Sequence, residues 1–141
     1  MKKIPILICL AIVVVGGVLY GNLRKEAGEK QTLQQNLVKV IESKQSSKEV
    51  VAIDFNQITS FSWDKLYIFT PYTSEAVINK QLGFRWSKAG ILKYSDSFDL
   101  IVFVKGEKVV QYVKLPRTNG QFIVDNKNEF APDEKVEFKL D

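Results

Sequence analysis

Asp99-Leu100-Ile101-Val102-Phe103-Val104-Lys105 and Lys108-Val109-Val110-Gln111-Tyr112-Val113-Lys114-Leu115, joined by Gly106-Glu107, are the runs that decide the fold. Both are rich in β-branched and aromatic residues, and glycine at the first central position of a two-residue loop suits a type II′ hairpin. That turn pairs Val104 with Val109, Val102 with Gln111 and Leu100 with Val113. Downstream, Asn119-Gly120 is a second tight-turn candidate that would return Phe122-Ile123-Val124 beside Val113 and Leu115. Pro116 lacks an N–H and frays this third pairing or places it at an edge. The alternation Val136-Phe138-Leu140 reads as a terminal strand.

Upstream of the hairpin the texture is also strand-like. Val50–Phe55 is short and β-branched, and Phe61–Phe69 stops at Thr70-Pro71. In the second run Trp63, Lys65, Tyr67 and Phe69 alternate with Leu66 and Ile68, so both faces are largely apolar, as in an interior strand. Between this strand and the hairpin, residues 73–83 carry helix signals: Thr73 as N-cap, Glu75 against the N-terminal dipole, Tyr72 and Val77 at staple spacing, and Gly83 at the C-terminal end. Strands, one short helix and then a meander predict an α+β domain over residues 50–141, with a mostly antiparallel sheet and the helix packed on it.

Residues 24–49 form a second segment. Leu33, Leu37, Val40 and Ile41 follow the i, i+4, i+7, i+8 pattern of a juxtamembrane amphipathic helix that spaces the domain from a bilayer and packs partly on it. Gln45-Ser46-Ser47-Lys48 reads as its end and a short linker. Two heptads are too few to argue for a coiled coil.

Residues 1–23 form the third. Ile4 to Tyr20 is uncharged, and the uncharged stretch extends to Leu23, 20 residues in all. As a helix rising 1.5 Å per residue it is about 30 Å long, the thickness of a bilayer's hydrocarbon core. Val15-Gly16-Gly17 is a poor signal-cleavage site, and the apolar run continues beyond it, so an uncleaved transmembrane anchor is expected; secretion after cleavage is the alternative. Lys2 and Lys3 on the short flank keep the N-terminus in the cytoplasm and put residues 24–141 outside the cell membrane. Cys9 lies within the apolar run, where it reads as a small apolar residue, and Ile8 before it does not form a lipobox.

The chain has 20 Lys and Arg against 16 Asp and Glu, a formal charge of +4. Residues 1–23, 24–49 and 50–141 hold two, six and twelve basic residues against none, four and twelve acidic ones, respectively. The folded part is therefore neutral, and the excess belongs to the anchor and its flank, where topology and anionic headgroups account for it. No nucleic-acid partner is expected.

The sequence has no histidine and one cysteine. That excludes imidazole general acid/base catalysis, Ser-His and Cys-His pairs, imidazole metal sites and thiolate clusters. Tyr94–Asp99 has acidic and serine oxygens but lacks the central glycine and terminal Glu of a calcium loop, and reads as a polar turn. Asp54 and Asp64 are the acids embedded in apolar runs, so they define a remote carboxylate-hydrolase alternative. No phosphate loop, dinucleotide fingerprint or nucleophile elbow occurs. No enzyme, metal or cofactor is expected. The densest set of unusual side chains is aromatic, with Trp63, Tyr67, Tyr72, Arg85 and Trp86 offering a surface for a ligand or partner, or else the domain core.

Trp63-Asp64-Lys65-Leu66-Tyr67-Ile68-Phe69-Thr70-Pro71-Tyr72-Thr73, the helix ending at Leu82-Gly83 and the Val102–Lys105 hairpin resemble small membrane-anchored or secreted proteins of unknown function from Gram-positive bacteria, over about residues 50–125. The Thr73–Gly83 helix is also similar to helices of small envelope lipoproteins of the outer-membrane assembly type. The resemblance implies an N-terminal anchor and a compact extracytoplasmic domain without transferable catalytic residues. The expected function is a non-enzymatic binding or accessory module of the cell envelope, engaging the membrane and an envelope protein or wall component. An immunity or inhibitor protein against a toxin is the alternative.

Overall fold

The computed structural model describes the backbone of residues 4–44 and 49–141, and the side chains of residues 15–44 and 49–141. The α+β expectation holds: a long N-terminal helix precedes two antiparallel sheets. Helix α1 (Ile4–Lys44) is followed by β1 (Val50–Ile53), a single helical turn α2 (Phe55–Ile58), β2 (Lys65–Phe69), α3 (Glu75–Leu82), β3 (Phe98–Lys105), β4 (Lys108–Pro116), β5 (Gly120–Phe122), β6 (Glu129–Phe130) and β7 (Val136–Leu140). One sheet has the order β4-β3-β2-β6 and the other β1-β7-β5. The linker expected at 45–48 lies outside the described residues.

Helix α1 corrects the division into two helices. It runs 41 residues as one helix across the segment boundary drawn at residue 23, passing through Gly21 and Gly28. Its C-terminal half docks as the apolar stripe requires, with Leu33, Leu37 and Ile41 at most 2% exposed. Val40 falls at the margin of the stripe and is only partly buried, while Val38 packs against the core. The other half projects from the body, and Val15, Val18, Leu19, Tyr20 and Leu23 are exposed. Among the described residues no helix is long and apolar enough to cross a membrane. The anchor expected over residues 1–23 falls largely on residues 1–14, outside those whose side chains are described.

The four-stranded sheet separates two apolar clusters. Leu66, Ile68, Ile101, Phe103, Val113 and Leu115 join α1, α2 and the three-stranded sheet in one. Phe103 is its hub, with ring centroids of Phe61, Trp63 and Phe55 at 5.1, 5.4 and 5.9 Å, distances at which edge-to-face aromatic pairs attract. Tyr67, Phe69, Leu100, Val102 and Val104 point the other way, onto α3 and the 3-10 turn Ala89–Leu92. Strand β2 is thus interior and apolar on both faces, as its alternation predicts. Helix α3 is capped one residue later than expected, by Ser74, whose hydroxyl accepts from the Val77 N–H. Gly83 closes it at φ 80°, a conformation that costs glycine little. Tyr72 and Val77 are exposed and do not form a buried staple.

The hairpin turn is where the sequence places it, with Gly106 at φ 60° and Val104 opposite Val109. The other two pairings shift by one residue because β4 bulges opposite Phe103/Val104. Val102 therefore faces Tyr112, Phe103 faces Gln111 and Ile101 faces Val113. A bulge turns every later side chain to the opposite face of the sheet.

The pairing of Phe122 with Val113–Leu115 does not form. After Pro116 the chain makes a 3-10 turn, Arg117–Asn119, and β5 crosses to the second sheet to pair with β7. Asp99 supplies the reason. Its carboxylate is buried on β3, accepts from Arg117 Nε at 3.0 Å through Oδ1, and accepts from the Phe122 N–H at 3.1 Å through Oδ2. The bond to Phe122 of β5 stitches one sheet to the other, and the bond to Arg117 holds the turn between them. Gly120, at φ 133°, allows the close passage, since a Cβ there would lie 2.1 Å from the Lys139 carbonyl oxygen.

Candidate functional site

The bulge in β4 assembles the best candidate site. Strand β4 lies at the edge of its sheet with α1 alongside. Gln111, turned toward α1, is 6% exposed and donates its amide to the Glu26 carbonyl at 3.0 Å. Its own Oε1 accepts from the Tyr112 N–H at 3.1 Å. Tyr112 takes the other face and packs edge-on against Trp86, with centroids 5.3 Å apart. The Trp86 backbone N–H donates to Asn79 Oδ1 of α3 at 2.8 Å and fixes the chain at this residue.

Two lysines converge on Tyr112 from different elements. Lys30 Nζ of α1 stands 3.7 Å from the ring centroid, and Lys88 Nζ donates to the phenol oxygen at 3.2 Å. Lys30 is three residues before the docked Leu33, on the same side of the helix, which is why it reaches the body. Burial of the ring favours the neutral phenol. The Lys88 hydrogen bond and the Lys30 charge together outweigh it and lower the Tyr112 pKa below its ordinary value. Beside the ring, a cleft of about 530 Å³ opens between α1 and β4, lined among others by Asn22, Lys25, Glu26, Glu29, Phe61, Trp86, Lys88, Lys108, Gln111 and Tyr112. Among the described residues, no ion pair joins Lys25, Lys30, Lys88 or Lys108 to Glu26 or Glu29. The cleft thus combines an aromatic wall with three lysines against two glutamates, an arrangement suited to an anion carried on an apolar or ring-shaped body.

The five residues singled out from sequence do not form one surface. Trp63 is buried beside Phe103, with Nε1 donating to Thr59 Oγ1 at 3.1 Å. It precedes the first residue of β2 and so leaves the strand's alternation, joining the face opposite Tyr67. Tyr67 is buried and stacked on Phe69 with centroids 6.0 Å apart. Tyr72 and Arg85 are exposed away from the cleft lining. Trp86 alone of the five enters the cleft. Sequence reasoning missed Lys30, Lys88, Gln111 and Tyr112. The signal available was Gln111, a lone uncharged polar residue inside an apolar strand.

The two acids of the hydrolase alternative serve separate turns. Asp54 caps α2 by accepting from the Asn56 N–H at 3.1 Å, and Asp64 accepts from the Gly106 N–H at 2.8 Å across the hairpin turn. On the far edge Lys65 pairs with Glu129 at 3.0 Å, and the Lys65 hydrogen bond holds the Glu129 carboxyl below its usual range.

Fold and cleft together define a class: a two-sheet α+β body docked on a long helix, with a cationic aromatic cleft where helix and edge strand meet. No family model, curated protein or solved structure matches this chain.

Proposed function

We propose that this chain is a non-enzymatic binding module of the cell envelope, tethered through its N-terminal apolar segment with the body outside the cytoplasm, and that its α1/β4 cleft holds an anionic envelope component. The observation that carries the reading is the convergence of Lys30 and Lys88 on Tyr112 beside Trp86. Supporting the tether are the uncharged run from Ile4 to Leu23 and the exposure of Val15, Val18, Leu19, Tyr20 and Leu23 where α1 leaves the body. Contiguous exposed apolar surface of this kind marks a surface meant to be covered.

Two measurements test it. Protease added to intact cells should remove the C-terminal body, and full protection would overturn the topology. The full chain in neutral detergent should bind a sulfated polysaccharide, used as a generic polyanion, with an affinity that falls steeply with salt. The Lys30→Gln/Lys88→Gln variant should bind more weakly than a Lys80→Gln/Lys135→Gln control. Equal binding by the two variants would remove the cleft from the account.

A further inference from the structure

We infer that the anion held in the cleft is the phosphate of a phospholipid headgroup in the same membrane that the helix enters. The inference rests on the tethered reading above and names the ligand of that same site. Its origin is the continuity of α1, because one uninterrupted helix fixes how far the cleft stands from the end of the apolar run.

The uncharged stretch ends at Leu23, and the helical wall of the cleft overlaps that end, with Asn22 just before it and Lys25, Glu26 and Glu29 just after it. At 1.5 Å per residue, Lys25 lies about 3 Å and Lys30 about 10 Å beyond Leu23 along the helix axis. The headgroup layer on each side of a bilayer is roughly 5–8 Å deep, so the mouth of the cleft coincides with it and the Lys30–Tyr112 contact lies at its outer margin. Helix tilt brings both closer. The wall facing α1 supplies Trp86 and Tyr112, ring types that favour the membrane interface because each has an apolar body and a polar tip. Lys88 and Lys108 add charge from that wall. The lining carries Lys25, Lys88 and Lys108 against Glu26 and Glu29, and Lys30 stands on the Tyr112 ring beside it, so an entering phosphate meets a net positive site. A free phosphate would satisfy the lysines but leave the aromatic wall and the adjoining apolar helix without a partner. A lipid supplies both parts.

The test uses the full chain in nanodiscs of phosphatidylcholine alone or of phosphatidylcholine mixed with phosphatidylglycerol. Amide hydrogen exchange at residues 86–88 and 108–112 should slow in the mixed discs, and the Tyr112 ionisation midpoint should rise there as the phosphate offsets the lysine charges. With each lysine near an anionic surface worth about one factor of five, the Lys30→Gln/Lys88→Gln variant should bind the lipid roughly 30-fold more weakly and lose the protection. Soluble glycerol phosphate added to phosphatidylcholine discs should not reproduce the effect. Identical exchange in the two kinds of disc would overturn the inference, as would full reproduction by glycerol phosphate, which would assign the cleft to a soluble anion. Failure of the chain to co-elute with either disc would sink the tether itself, whereas co-elution without a phosphatidylglycerol effect sinks only the lipid assignment.

Discussion

Replacing Asp99 with alanine should cost the protein about 3 kcal/mol, near the low end of the roughly 3–5 kcal/mol seen when a buried ion pair loses one partner. The substitution removes the acceptor of the Arg117 bond and that of the Phe122 N–H, both about 3 Å long. A hydrogen bond to a charged group contributes about 1.5–3 kcal/mol, and an N–H left buried and unpaired costs about 1–3 kcal/mol. The Arg117 side chain is 30% exposed and can regain water, which keeps the total toward the lower figure. With a urea slope of about 1.5 kcal/mol per molar for a body of this size, the unfolding midpoint should fall by roughly 2 M. Emission of the buried Trp63 in the full chain reports the transition. The carboxyl also leaves a pH signature. Burial raises its pKa above the ordinary 3.8, against the opposing pull of the Phe122 N–H and Arg117. The folded state then binds the proton more readily than the unfolded one, so this group's contribution is greatest below the unfolded pKa and is lost as pH rises through the folded value. The gap in stability between the native chain and Asp99→Asn should therefore widen as pH is lowered toward 3.8. A gap that narrows would mean the Arg117 pair outweighs burial, and a cost of Asp99→Ala below about 1 kcal/mol would refute the stitching role.

Gly120→Ala should destabilise by more than about 2 kcal/mol, because strained backbone costs about 1–3 kcal/mol and the added Cβ would also meet the Lys139 carbonyl and the Phe138 ring; thermal unfolding checks it. Leu37→Ala, at a fully buried contact of α1 with the body, should cost about 2–5 kcal/mol and speed amide exchange along residues 25–44. Removing the Lys88 charge with Lys88→Met should raise the Tyr112 ionisation midpoint in ultraviolet titration, measured against Tyr112→Phe, and an unchanged midpoint would detach Lys88 from the phenol.

The features legible in the sequence were those written in local chemistry. Gly106 at positive φ announces its turn, Gly83 closes its helix while the N-cap falls on Ser74, one residue past the expected Thr73, and the stripe Leu33, Leu37, Ile41 identifies the docked face. The strand alternation located β2 and β7 for the same reason, a period of two matched to burial on a sheet. What stayed hidden depends on partners distant in sequence. The bulge in β4 has no local signature, yet it alone decides that Tyr112 rather than Gln111 meets Trp86. Asn119-Gly120 carries the same turn signal whether the chain folds back on β4 or crosses to β7, and the choice is made by Asp99, twenty-three residues before Phe122. Clustering in sequence likewise misled for Trp63 and Tyr67, which lie four residues apart but on opposite faces of the sheet.

The central claim is that the uninterrupted α1 sets the cleft at the surface of the membrane. Nitroxide-labelled lipids test it directly, with the label at the headgroup or deep in the acyl chain, using the full chain in vesicles and a Trp63→Phe background so that Trp86 alone emits. The account predicts strong quenching of Trp86 by the headgroup label and little by the deep one. Trp86 emission untouched by either label would contradict it.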